Sequence, residues 1–265
     1  MRHMADISEY YRAGGERTRL TTGGGLLEAL RTRDILTRYL PPAPARILDV
    51  GGATGAYAGW LADAGHTVHL VDPIAGHVAA AAELPGVTAA VGDARALTEP
   101  DDSADAVLLL GPLYHLLDRA DRITAWREAA RVVRPGGVVV AATISRFASM
   151  HDGFVKGFYD DPRFLPIVER ALATGVHRNT EPGRTWFTDA YFHRPEEPAA
   201  EAREAGLDVT TVAAVEGSLW QLPDLDRILA DPERTALLLD LLRRVEHEPS
   251  LHGTSSHLVT VATRP

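Results

Sequence analysis

A chain of 265 residues with 45% hydrophobic and 24% charged content is long enough for one large α/β domain, or a core domain with a modest insertion. Its net charge of -9 argues against a phosphate-tracking nucleic-acid surface. The lack of cysteine excludes disulfides, thiol catalysis and Cys-ligated zinc.

No run reaches the roughly 18 apolar residues of a membrane span. The N-terminal MRHMADISEYYRAGGER has no apolar core of a signal peptide, so a cytoplasmic location is the expectation. Residues 5–38 read as polar-to-amphipathic helix around the Gly-Gly-Gly at 23–25, and Pro41, Pro42 and Pro44 then break the pattern. Strands are expected near 46–50, 67–71, 87–91, 105–110 and 137–143, with helices near 55–65, 74–84 and 119–134. The last helix is expected to stop at Arg134-Pro135-Gly136-Gly137, with arginine in its final turn. This alternation implies a parallel, doubly wound sheet.

Residues 146–195 break the rhythm. Phe147, Phe154, Phe158, Tyr159, Phe164, Trp186, Phe187, Tyr191 and Phe192 crowd into them. A lid or pocket wall would use aromatics in this way. An insertion with its own small core would too. The pattern resumes with a helix at 195–205, a strand at 207–215, a helical stretch at 222–247 interrupted near Asp231-Pro232, and a final strand from His257 to Arg264.

The most telling stretch is RILDVGGATG, Arg46 to Gly55, followed by Asp72. A buried-strand pattern runs into a glycine turn and a helix, and a second strand ends on an acid. Such a unit holds a nucleoside at the carboxyl ends of its strands. A dinucleotide fingerprint counted from Gly51 would need glycine where Ala53 and Ala56 stand, so it fails twice. DVGGATG instead resembles the first motif of class I S-adenosylmethionine (SAM) dependent methyltransferases, with Ala53 in place of a middle glycine. The resemblance covers 46–145 well and 195–265 in outline.

That resemblance implies a doubly wound, Rossmann-like α/β fold, mostly parallel with a reversed final strand, plus helical lid elements. It implies SAM as cofactor and S-adenosylhomocysteine as product. It divides the chain into an N-terminal cover (1–40), a SAM-binding core (41–145), a lid or acceptor insertion (146–195) and the rest of the core sheet (196–265). Asp49, Gly51, Gly52 and Gly55 would cradle the methionine end, with Asp49 supplying negative charge near the ligand's cationic groups. Asp72 would accept the ribose hydroxyls, and Pro73 would start the next helix. Asp93 would accept the adenine amino group and the backbone of Ala94 would meet the ring; Asp93 capping a turn is the plainer alternative. Gly111, Leu113 and Tyr114 would line the sulfonium and the acceptor side. Tyr10, Tyr11, Glu16 and Arg19 match a cover segment, where arginine pairs with a carboxylate; an ordinary amphipathic helix is equally consistent.

Methyl transfer needs a general base only for some acceptors. His115 is the first candidate, with ring packing its alternative, and Tyr191 with His193 forms the second, sharing a face if that segment is extended. His257 reads as structural, and no His–carboxylate spacing suggests a metal site. The expected partner is a small aromatic or heterocyclic acceptor of secondary metabolism, with no nucleic acid and no membrane, in a monomer or homodimer. An NAD-dependent oxidoreductase and a non-catalytic SAM-binding scaffold or cyclase are the competing readings.

Overall fold

The computed structural model describes residues 20–179, 181, 184 and 186–265. Helix α1 spans Gly23–Tyr39. The glycines at 23–25 therefore open the helix rather than sit within it. Then follow β1 (Arg46–Val50), α2 (Ala56–Asp63), β2 (Thr67–Asp72), α3 (Ala75–Ala82), β3 (Val87–Val91) and β4 (Ala104–Leu109). After them come α4 (Arg119–Val132), β5 (Val133–Ile144), α5 (Ala148–Val155), α6 (Phe164–Thr174) and the short strands β6 (Val176–His177) and β7 (Ala190–Tyr191). The chain ends with α7 (Glu197–Glu204), β8 (Asp208–Ala214), α8 (Leu225–Leu229), α9 (Pro232–Val245), α10 (Pro249–His252) and β9 (His257–Thr263).

Two compact units divide these residues. One comprises Ile35–Thr143, Glu197–Val212 and Val259–Pro265. The seven-stranded sheet runs β3-β2-β1-β4-β5-β9-β8. The β1–β2, β1–β4, β2–β3 and β4–β5 pairs are parallel. Gly137 pairs with Arg264 at one end of β5 and Ser145 with Ser256 at the other, which makes β9 antiparallel to it. The final strand is thus reversed, as expected. Leu48, Val50, Val107, Leu109, Trp126 and Val139 are buried in one core. At roughly 1.5–3 kcal/mol per buried large apolar side chain, this core holds the sheet against its helices.

Two further boundaries differ from the sequence reading. Helix α4 ends at Val132, so Arg131 is the arginine of its last turn, and residues 134–137 bulge within β5 between the partners of Ala104 and Ala106. Gly136 turns this bulge with φ +74. Helix α3 starts at Ala75 with Ile74 as its cap, so Pro73 lies ahead of the helix instead of starting it. The Asp72 side chain, bonded to the Ile74 N–H at 2.9 Å, sets that boundary.

The second unit comprises residues through Asp34, Ile144–Glu196 and Ala213–Leu258. Leu27, Trp220, Leu225, Leu238 and Leu242 form one of its clusters. Phe164, Ile167, Val168 and Trp186 form another, with Phe158 and Tyr159 against it. The expected break near Asp231-Pro232 is a helix start, where Asp231 caps Glu233 N and Arg234 N and proline takes the first turn.

Candidate active site

The parallel register aligns the carboxyl ends of the central strands, with Val50 opposite Val71 and Asp49 opposite Leu108. Strand β1 lies between β2 and β4, the place where strand order reverses and where ligands bind in open α/β sheets. The loops after β1, β2 and β4 therefore converge there. Gly51 donates to Val71 O at 2.7 Å. A Cβ on Gly111 would lie 2.5 Å from Gly51 O, and one on Gly51 would lie 2.8 Å from Pro112 Cδ. Only glycines let these two loops touch.

Asp49 forms the floor of this cradle. It is fully buried, and neither carboxylate oxygen has a donor among the described residues. A Cβ on Gly52 would come 2.4 Å from Asp49 Oδ2, so the glycine backbone lies directly against the acid. Burial, and then the charge of Asp72, raise the Asp49 pKa from 3.8 to about 7. A buried carboxylate without donors is costly, and a cationic group placed beside it offsets that cost. An acceptor buried without donors fits the ammonium-bearing end of SAM.

Asp72 carries more than the sequence implied. Its Oδ2 accepts from Ala53 N–H at 3.0 Å, its Oδ1 accepts from Ile74 N–H at 2.9 Å, and His77 Nδ1 lies 3.1 Å from Oδ1. A carboxylate offers about four lone-pair sites, so these partners take most of its capacity. Asp72 thus braces the glycine loop. Ala53 needs that brace, because its φ of +49 is left-handed, at a cost of about 1–2 kcal/mol for a residue with a Cβ. Glycine at this position would carry no such strain.

Asp93 pairs with Arg95, whose backbone N–H (2.9 Å), Nε (3.0 Å) and guanidinium terminus (2.6 Å) all reach the carboxylate. These bonds hold its pKa below the usual carboxylate range. The plainer alternative, an acid closing its own turn, is therefore present in the structure. Ala94 is buried in the core of its unit, as is Leu113, which opens a short 3-10 turn through His115. The His115 ring lies 4.7 Å from that of Tyr114.

Sequence reasoning missed the brace on this last loop. Arg122, buried in α4, donates to Leu116 O and Leu117 O, each at 2.9 Å, and pairs with buried Glu201 at 2.9 Å. Its helical spacing marks a core-facing position, but its partner lies far along the chain.

The remaining candidates belong to the other unit. Tyr191 and His193 do share a face, their rings 4.8 Å apart and edge-to-face. Arg146, which the sequence did not single out, donates to Phe192 O at 2.7 Å and to the Tyr191 hydroxyl at 3.2 Å. His257 meets Glu216 at 2.6 Å and Glu28 at 3.8 Å, a His–carboxylate grouping that only the fold creates. Tyr10, Tyr11, Glu16 and Arg19 lie outside the described residues.

Residues 47–137 match the family described as "Methyltransferase domain". An uncharacterized methyltransferase of Mycobacterium tuberculosis is 40% identical over 99 residues, which are 37% of this chain and 39% of that protein. The chain thus spans well under half the length of this relative. The demethylmenaquinone methyltransferase of Roseiflexus castenholzii is 32% identical over 177 residues, 64% of this chain and 71% of that protein. Among solved structures, a SAM-dependent methyltransferase of Thermotoga maritima, titled a possible histamine N-methyltransferase, superposes with TM-score 0.62. It is 18% identical, covering 98% of this chain and 99% of that one, and at that identity it shows the fold alone. Among the described residues, no helix is long and apolar enough to cross a membrane.

Proposed function

The chain belongs to the class I SAM-dependent methyltransferase family, and on that premise we propose that it transfers a methyl group to an O, N or C nucleophile of a small metabolite. An aromatic or heterocyclic acceptor of secondary metabolism is part of this reading, and the relative named for demethylmenaquinone supports a ring-bearing substrate. The observation that carries the reading is Asp49, an acid buried without donors against the glycine loop at the sheet's switch point.

When bound, SAM supplies an already activated methyl group, so the protein's work is alignment and exclusion of water. Asp49 would pair with the ligand's ammonium, and Gly51, Gly52 and Gly55 would let the backbone come close to it. Asp72 would meet a ribose hydroxyl with its remaining capacity, Pro73 would flank it, and Asp93 with the backbone of Ala94 would receive the adenine. Gly111 and Leu113 would line the sulfonium side. Where the acceptor must lose a proton, His115, Tyr191 and His193 are the proposed recipients.

Titration calorimetry with S-adenosylhomocysteine tests the cofactor site. Wild type is expected to bind more tightly as pH rises through about 7, because only ionised Asp49 pairs with the ammonium. Asp49→Asn should weaken binding at least about tenfold, roughly 1.4 kcal/mol, and flatten that dependence. Equal affinity in the variant would overturn the assignment. A metabolite screen read by methyl mass gain tests the acceptor class.

A further inference from the structure

We propose that Glu28, Glu216 and His257 form a binding site for one divalent transition-metal ion. The three residues come from α1, from the turn after β8 and from the first position of β9, all in one compact unit. One ligand atom from each lies within 4.8 Å of the others. The His257 Nδ1 distances are 2.6 Å to Glu216 Oε1 and 3.8 Å to Glu28 Oε2. Metal–ligand bonds of about 2.0–2.2 Å put neighbouring donors about 3.0–3.5 Å apart. The observed distances bracket that spacing, and small side-chain rotations reach it.

Hydrogen bonds from the surroundings fix the Glu216 carboxylate, as such bonds orient metal-ligating side chains. Glu216 Oε2 accepts from Ser255 Oγ–H at 2.8 Å and from His257 N–H at 3.1 Å. Ser255 Oγ in turn accepts from Glu216 N–H at 3.0 Å and Gly217 N–H at 3.2 Å. One oxygen of Glu216 is thereby fixed by backbone and hydroxyl, and the other is presented to His257. The partial exposure of His257 leaves room for a water ligand. Two carboxylates and one imidazole make an oxygen-rich, thiolate-free set, suited to Mn²⁺, Fe²⁺ or Zn²⁺. A bound ion would tie α1 to the β8–β9 strands. This site lies outside the cofactor reading above and does not depend on it.

The test uses untagged, full-length protein stripped with EDTA and titrated calorimetrically with ZnCl₂ and with MnCl₂. One ion per chain is expected for at least one metal, with a melting temperature that rises on loading and returns on chelation. Glu28→Gln and His257→Gln should each weaken binding at least tenfold, while the exposed-site control Asp224→Asn should not. Absence of stoichiometric binding by both metals would mean an internal ion pair only and would overturn the proposal. So would binding that survives both substitutions. If the variants misfold, the chelator-reversible stabilisation of wild type still decides the matter.

Discussion

The glycine loop at the end of β1 and the aromatic segment at 146–195 achieve order by opposite means. The loop has almost no side-chain bulk. Its shape follows from Gly51 and Gly111 in backbone contact, and from Asp72 gathering the Ala53 and Ile74 N–H groups and the His77 ring. The aromatic segment takes its regular backbone from α5, α6 and the short β6–β7 pair, and packs those pieces through side chains. Phe164 organises it, with ring centroids 5.2 Å from Phe158, 5.4 Å from Tyr159 and 5.3 Å from Trp186. Backbone geometry tolerates no added atom, whereas a side-chain cluster tolerates change in proportion to the volume removed. The same cluster gives residues 146–195 a small core of their own, although Phe154 stays 78% exposed.

Three substitutions sharpen the contrast. Phe164→Ala should cost about 3–5 kcal/mol in denaturant-measured stability, the usual range for emptying a buried aromatic site. A loss below about 1 kcal/mol would show that the aromatic cluster is not what holds this segment. Gly111→Ala adds one methyl but meets the Gly51 carbonyl, so about 1–3 kcal/mol of strain is expected. It should also abolish S-adenosylhomocysteine binding in calorimetry, and unchanged binding would refute the backbone-contact argument. Ala53→Gly is the smallest change and has the opposite sign. Relief of the left-handed strain should leave stability unchanged or raise it by about 1 kcal/mol. A drop in melting temperature would mean the alanine methyl packs favourably.

Asp49 adds a pH signature to the loop. Its pKa rises from 3.8 to about 7 on folding, so the folded state holds a proton the unfolded chain has released. Its contribution to stability is full below the unfolded value and is lost as pH rises through about 7. Asp49→Asn should remove that slope from a series of melting curves.

The strands and helices of 46–132 were legible because buried parallel strands and amphipathic helices write their periods locally. Boundaries failed where one side chain or one bulge decided them: Asp72 moved the start of α3 past Pro73, and the bulged start of β5 took Val133 and Arg134, which the sequence reading assigned to α4. The motif Arg46–Gly55 with Asp72 pointed to the cofactor because close approach demands glycine and a cation demands an acid. Local spacing could put Arg122 on the core face of α4, but it could not mark its partner Glu201 across the fold, nor the meeting of Glu28, Glu216 and His257.

The sequence by itself determined the α/β class, the sheet-end cradle and its Asp49, since each depends on neighbours within a few turns of chain. Tertiary structure alone decided that Asp72 braces the loop, that Asp93 closes on Arg95, and that a histidine and two glutamates share one corner. Those outcomes depend on which distant groups packing brings within hydrogen-bonding distance, and no local period records that.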